Sequence, residues 1–129
     1  MKYVIIGIGA AGMTAARTLR ELAPQDEIVM LSVDEKPHSR CMLHKYLSHE
    51  RDADGLNFVP DDFFTENNIW QIPGQRVTKL DTRAKKVYYG TEGYACDYDK
   101  LLIATGAESF IPPVGDLRIA PNVFGLRHL

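Results

Sequence analysis

Two uninterrupted apolar runs, residues 2–7 and 27–32, stand out first along this chain. Runs of that kind suit strands buried on both faces, as in a parallel sheet. Between them, over residues 12–22, Ala15, Ala16, Leu19 and Leu22 recur at helical spacing, and Pro24 closes the helix. Strand, helix and strand in that order predict a βαβ unit. Residues 41–47 predict a short helix, residues 50–60 a polar loop, and residues 61–68 a further helix. Asp61 and Asp62 in its first turn suit the helix dipole, and Asn68 is its stop. Ile69–Ile72 reads as a short strand closed by Pro73-Gly74. The rhythm then shortens. Residues 76–81, 86–89 and 94–97 predict an antiparallel meander, with turn residues Gly90 and Gly93 and a basic hairpin turn at residues 83–86. Leu101-Leu102-Ile103 returns as an apolar strand ending in Ala104-Thr105-Gly106, and Pro112, Pro113, Gly115 and Pro121 then give a linker composition. Trp70, the Phe63-Phe64 pair and Cys96 are expected in the core.

The first apolar run ends in Gly7-Ile8-Gly9-Ala10-Ala11-Gly12 and passes directly into the alanine-rich helix. This is G-x-G-x-x-G in the strand–turn–helix setting that a dinucleotide fingerprint requires. Gly7 permits the tight turn, Gly9 lets the backbone approach a pyrophosphate, and Gly12 lets helix and strand pack closely. Free N–H groups and the helix dipole at that point favour an anion. Lys2 before an apolar run also has the look of a leader peptide, but the glycines interrupt any apolar helix. In dinucleotide folds an acidic residue at the end of the second strand takes the ribose hydroxyls. Ser32 stands there, followed by Asp34 and Glu35. Ribose contact and a solvated loop carboxylate are equal readings for these two acids.

Composition narrows the partners. The chain has 129 residues, 45% hydrophobic and 25% charged, as an ordinary globular domain does. A net charge of −2 gives no electrostatic reason for nucleic acid or an anionic membrane surface. No apolar run approaches the ~18 residues of a membrane span. Cys41 and Cys96 form no metal or disulfide spacing, which leads us to expect the cytoplasm and no metal.

The order of these pieces resembles the FAD domain of the pyridine nucleotide–disulfide oxidoreductase superfamily. The resemblance is carried by the N-terminal glycine turn, the meander insertion and Tyr98-Asp99-Lys100-Leu101-Leu102-Ile103-Ala104-Thr105-Gly106-Ala107, which is similar to the family's "YDKLLIATGA" segment. Phe64 to Ile69 and Gln75-Arg76-Val77 also sit where that family places them. The fold class implied is α/β: a Rossmann-like parallel sheet with an inserted antiparallel β-meander, incomplete. The resemblance implies FAD as the ligand of the glycine turn. Gly7, Gly9, Ala10, Ala11 and Gly12 would lie on the pyrophosphate, and the ribose contact stays open between Asp34 and Glu35. Val77 would touch the adenine end, and Ala104, Thr105 and Gly106 would pass close to the cofactor. Ser32 departs from the family's usual Glu.

The stretch Arg40-Cys41-Met42-Leu43-His44-Lys45 points two ways within the superfamily. It is similar to the "RPPLSK" segment of ferredoxin, rubredoxin and nitrite reductase flavoproteins, matching at Arg40, Leu43 and Lys45. That match implies a lysine beside flavin N5, where a cation stabilises charge arriving with hydride. It is also similar to the "SCGMQLYL" stretch of NADH peroxidases and coenzyme A–disulfide reductases, which puts Cys41 on the redox cysteine. Against these stand plainer readings: Cys41 as a small buried core residue and Lys45 as a solvated helix lysine. His44 reads as surface, and His38, His49 and His128 have no assignable partners. The tail Asn122 to Leu129 is similar to "GVFYLRTL", where the family passes to its NAD(P)H domain. The resemblance thus implies a first FAD-domain segment at residues 1–115 and a linker at 116–129. We expect a piece of a longer enzyme, a homodimer moving hydride from NAD(P)H to flavin and electrons to an acceptor. Alone, the piece should hold FAD weakly or not at all.

Overall fold

The two apolar runs become parallel neighbours, β1 (Lys2–Ile6) and β2 (Glu27–Leu31), joined by α1 (Ala10–Leu22). The computed structural model describes residues 1–129. A 3₁₀ turn (Arg40–Met42) leads into α2 (Leu43–Leu47), and α3 (Phe63–Glu66) precedes β3 (Ile69–Ile72). Then come β4 (Val77–Asp81), β5 (Lys86–Tyr89), β6 (Tyr94–Asp97) and β7 (Lys100–Ile103). The parallel sheet runs β3-β2-β1-β7, and β4-β5-β6 form a separate antiparallel sheet. The fold is therefore the expected α/β parallel sheet with an inserted meander.

Both faces of the parallel sheet are covered, and this accounts for the uninterrupted apolar runs. On one face Ile5, Ile28 and Met30 pack with Met13 and Ala16 of α1, Phe63 of α3 and Ile69. On the other, Val4, Ile6, Val29 and Leu31 pack against Val87 and Cys96 of the meander. Burying a side chain such as Ile5 completely contributes about 1.5–3 kcal/mol. Arg20 fastens the end of α1 to the turn before β3: its Nε donates to the Asn67 carbonyl (2.7 Å) and its Nη2 to the Asn68 carbonyl (2.9 Å).

Several expectations shift. α1 begins at Ala10 rather than residue 12, because extended Gly9 already offers its carbonyl to the Met13 N–H (3.0 Å). Leu22, the last residue of α1, is 78% exposed although its spacing assigns it to the apolar stripe. Trp70 is not core but 70% exposed. β3 is an edge strand whose Ile69 turns into the core, so the next side chain faces away from it. The helix expected at 61–68 shrinks to a single turn, and that at 41–47 is split by its 3₁₀ start. β4 begins at Val77, one residue later than expected, with a bulge before Lys79. After β7 the chain forms no helix or strand and buries no residue, and Phe110, Ile119 and Phe124 are exposed.

Candidate functional site

The glycine turn is held between the ends of three strands. Gly7 N–H donates to the Leu31 carbonyl (2.7 Å), and Ala104 N–H donates to the Ile6 carbonyl (2.8 Å). Gly7 sits at φ +111°, and a Cβ there would lie 2.3 Å from the Ala104 carbonyl oxygen. A Cβ on Gly12 would lie 2.0 Å from the Gly7 carbonyl oxygen, so α1 crosses the turn at backbone contact. Gly9 differs: a Cβ there meets nothing within 4 Å, so the space above it is free. The turn and helix packing thus need Gly7 and Gly12, while Gly9 faces open room.

The second wall comes from the end of β2. Ser32 is buried, its N–H donates to the Ile72 carbonyl (3.2 Å), and its own carbonyl accepts from Gln75 N–H (2.8 Å). Its hydroxyl oxygen accepts from Asp34 N–H (2.9 Å), which turns the chain so that Asp34 faces inward. Hence the serine does local work that a glutamate there would not do.

These walls enclose a cleft of about 370 Å³. Gly7, Gly9, Ala10, Ala11, Asp34, Arg40, Val77, Ala104, Thr105 and Gly106 all line it. Gly12, Cys41 and Lys45 do not: Gly12 lies beneath the turn, Cys41 sits in the 3₁₀ turn and Lys45 in α2. Sequence reasoning missed four charged residues in the lining: Arg76, Glu108, Arg127 and His128. Arg40 Nη2 donates to Asp34 Oδ2 (2.7 Å), and His128 Nδ1 donates to Asp34 Oδ1 (3.0 Å). His128 therefore has partners after all. Arg127 Nη2 donates to the Thr105 carbonyl (3.2 Å), while its Nε is buried without a hydrogen-bond partner. Only the similarity of Asn122 to Leu129 to a family segment bore on these last two residues, and it gave them no role.

Lys45 pairs with Glu50 rather than with the cleft, and the Ser48 hydroxyl donates to the other carboxylate oxygen (2.8 Å). Those two donors hold the Glu50 carboxyl below its ordinary range. Cys41 is exposed, which overturns its reading as a buried core residue, because the 3₁₀ turn leaves only Leu43 of this stretch inside. Cys96 is buried as expected, and burial pushes its thiol pKa up. A thiolate-selective reagent at pH 8 should therefore modify one thiol quickly, at Cys41, and the second only on unfolding. Peptide mapping that found Cys96 labelled first would contradict this burial. His38 is buried with Nε2 unpartnered, away from the cleft walls.

A larger groove of about 720 Å³ lies between α1 and strands β1 and β7. Its lining is mainly apolar, with Val4, Ala15, Leu19 and Leu102 among its residues, and convergent charged groups are lacking. The smaller cleft is the better functional candidate because polar groups converge in it. No group of three or more His, Cys, Asp or Glu is placed to hold a metal ion, and no helix is long and apolar enough to cross a membrane.

Comparison with known proteins agrees with this geometry. The profile described as "Pyridine nucleotide-disulphide oxidoreductase" matches residues 1–129. An NADH oxidase of Methanocaldococcus jannaschii is 33% identical over 121 residues, covering 88% of this chain and 27% of the relative. Rhodocoxin reductase of Rhodococcus erythropolis is 35% identical over 130 residues, covering 98% of this chain and 30% of the relative. The crystal structure of a ferredoxin reductase from Rhodopseudomonas palustris superposes with a TM-score of 0.83 at 29% identity, covering 95% of this chain and 30% of that one. The chain thus spans under a third of each of these relatives. With the glycine turn and the meander in place and the family match running over residues 1–129, the chain belongs to the pyridine nucleotide–disulphide oxidoreductase family.

Proposed function

We propose that this chain is the first segment of an FAD-binding domain in an NAD(P)H-dependent flavoprotein oxidoreductase. The observation that carries the proposal is the fit of the cleft to a dinucleotide. Free space above Gly9 adjoins the start of α1, and Arg127 lines the same cleft, its Nε without a hydrogen bond and 3.9 Å from Glu108 Oε2. An anionic diphosphate would complement the helix start and the guanidinium together. Gly7, Gly9, Ala10 and Ala11 would hold the pyrophosphate with Arg127, and Asp34 and Arg40 would lie at the ribose. Val77 would meet the adenine end, and Ala104, Thr105 and Gly106 would border the remainder. Gly12 supports the turn from below. FAD, when bound, supplies an acceptor for hydride from NAD(P)H and a donor of electrons to the next carrier.

The relatives named rhodocoxin reductase and ferredoxin reductase support a small redox protein as that carrier. Lys45 would serve as the cation near the flavin, on the segment similarity at Arg40, Leu43 and Lys45. To do so it must exchange its partner Glu50. A second reading rests on the exposure of Cys41: a redox thiol acting on a peroxide or disulfide substrate. Cys41→Ser in the longer protein separates the two, since turnover with a one-electron acceptor survives under the first and peroxide turnover vanishes under the second. A cytoplasmic homodimer completes the proposal.

Thermal-shift titrations of this chain with FAD and NADH in parallel test the assignment. Stabilisation by FAD and not by NADH is the expected result, with a small shift, because part of the cofactor's contacts would come from other segments. Stabilisation by NADH alone would replace the FAD reading with a nicotinamide-binding one.

A further inference from the structure

Near the end of the segment Asn122 to Leu129, Arg127 and His128 line the cleft and are bonded to both of its walls. On the β2 side, His128 Nδ1 donates to Asp34 Oδ1 (3.0 Å) and Arg40 Nη1 donates to the Arg127 carbonyl. On the β7 side, Arg127 Nη2 donates to the Thr105 carbonyl (3.2 Å) and His128 Nε2 lies 3.4 Å from Glu108 Oε1. The segment contributes no buried apolar side chain: Phe124, Leu126 and Leu129 are all exposed. Its hold is thus almost wholly polar, and polar holds at a surface open readily.

Asp34 is the point of conflict. Its Oδ2 already accepts from Arg40 and its Oδ1 from His128. At the end of the second strand, a carboxylate must accept from ribose hydroxyls if it is to read a dinucleotide. Arg40 can stay in place while Oδ1 changes partner. His128 lines the same cleft and stands at Oδ1, in the space a ribose hydroxyl would need to donate there.

We propose that residues 122–129 form a strap latched by His128, which competes with the ribose of a bound dinucleotide for the Asp34 carboxylate. This rests on the dinucleotide reading above. His128 acts through Asp34 and is a positioning residue. In the ligand-free protein the latch keeps Asp34 oriented. Binding exchanges the imidazole for ribose hydroxyls and releases the strap from the β2 wall, while the Arg127 guanidinium stays available for the diphosphate. A contact made only in the latched state lowers apparent affinity by the fraction latched, and removing it restores that affinity.

The test uses the 129-residue chain, its His128→Ala variant and ADP as the probe, because ADP carries the diphosphate and ribose without the flavin. NMR reads the ADP titration and, in the ligand-free protein, the heteronuclear NOE of the amides of residues 125–129. The latch requires lower NOE values in His128→Ala and ADP binding about 3- to 10-fold tighter than in the parent sequence. It also requires that the gain vanish in an Asp34→Ala background, where the contested carboxylate is gone. Equal ADP affinity in the two proteins, or weaker binding by His128→Ala, overturns the latch and leaves the dinucleotide reading standing. Absence of ADP binding by both overturns the dinucleotide reading and the competition with it.

Discussion

Gly7→Ala is expected to destabilise the fold by about 2–5 kcal/mol, enough to remove much of the stability of an ordinary domain. Two costs act together. The residue sits at φ +111°, which an L side chain adopts only under strain of about 1–3 kcal/mol. Its new Cβ would also lie 2.3 Å from the Ala104 oxygen and 2.8 Å from the carbonyl carbon. Both atoms are backbone, and Ala104 is fixed by its N–H bond to Ile6. Relief therefore means parting β7 from β1 at the turn, an overpacking cost of about 1–3 kcal/mol. Urea denaturation with an unchanged m-value measures the loss. A loss below about 1 kcal/mol would show that the strand ends yield more easily than their hydrogen bonding implies.

Gly9→Ala should leave the fold intact and impair the ligand. Gly9 has φ −75° and ψ −177°, a conformation open to alanine, and nothing lies within 4 Å of the added methyl. Stability should hold or rise by about 0.4–1 kcal/mol, from the smaller freedom of the unfolded chain. The methyl would stand where a pyrophosphate must approach the backbone, and affinity for ADP should fall about 10-fold or more, or roughly 1.4 kcal/mol. Titration of the two proteins under one set of conditions reads the ratio. Equal affinity would place the phosphates elsewhere and remove the main support for the dinucleotide reading. The contrast between adjacent members of one motif is the useful part: substitution at Gly7 is expected to act on the fold, and at Gly9 on the ligand.

What could be read in advance was local. Residues 2–7 and 27–32 announce buried strands because burial on two faces demands the unbroken apolar stretches at 4–6 and 28–31. The glycine turn is legible because a tight turn at Gly7 and close helix packing at Gly12 each exclude a side chain, and both fall within six residues. The segment 98–107 adds the cleft's far wall, and its Ala104, Thr105 and Gly106 do line the cleft.

Tertiary structure decided the rest. Asp34 and His128 lie 94 residues apart, and only the return of the tail across the strand ends brings them to 3.0 Å. No periodicity encodes such a meeting, since the tail forms no helix or strand and buries nothing. Trp70 looked like core by its chemistry, yet its place on an edge strand left it in solvent. Cys41 and Lys45 are neighbours of Arg40 in sequence, but the 3₁₀ turn sends Arg40 into the cleft and leaves the other two outside its lining. Sequence by itself determined which backbone shapes were permitted, because sterics and periodic burial act within a few residues. Which charges face one another was decided by the packing of strand ends, because electrostatic partners are chosen through space.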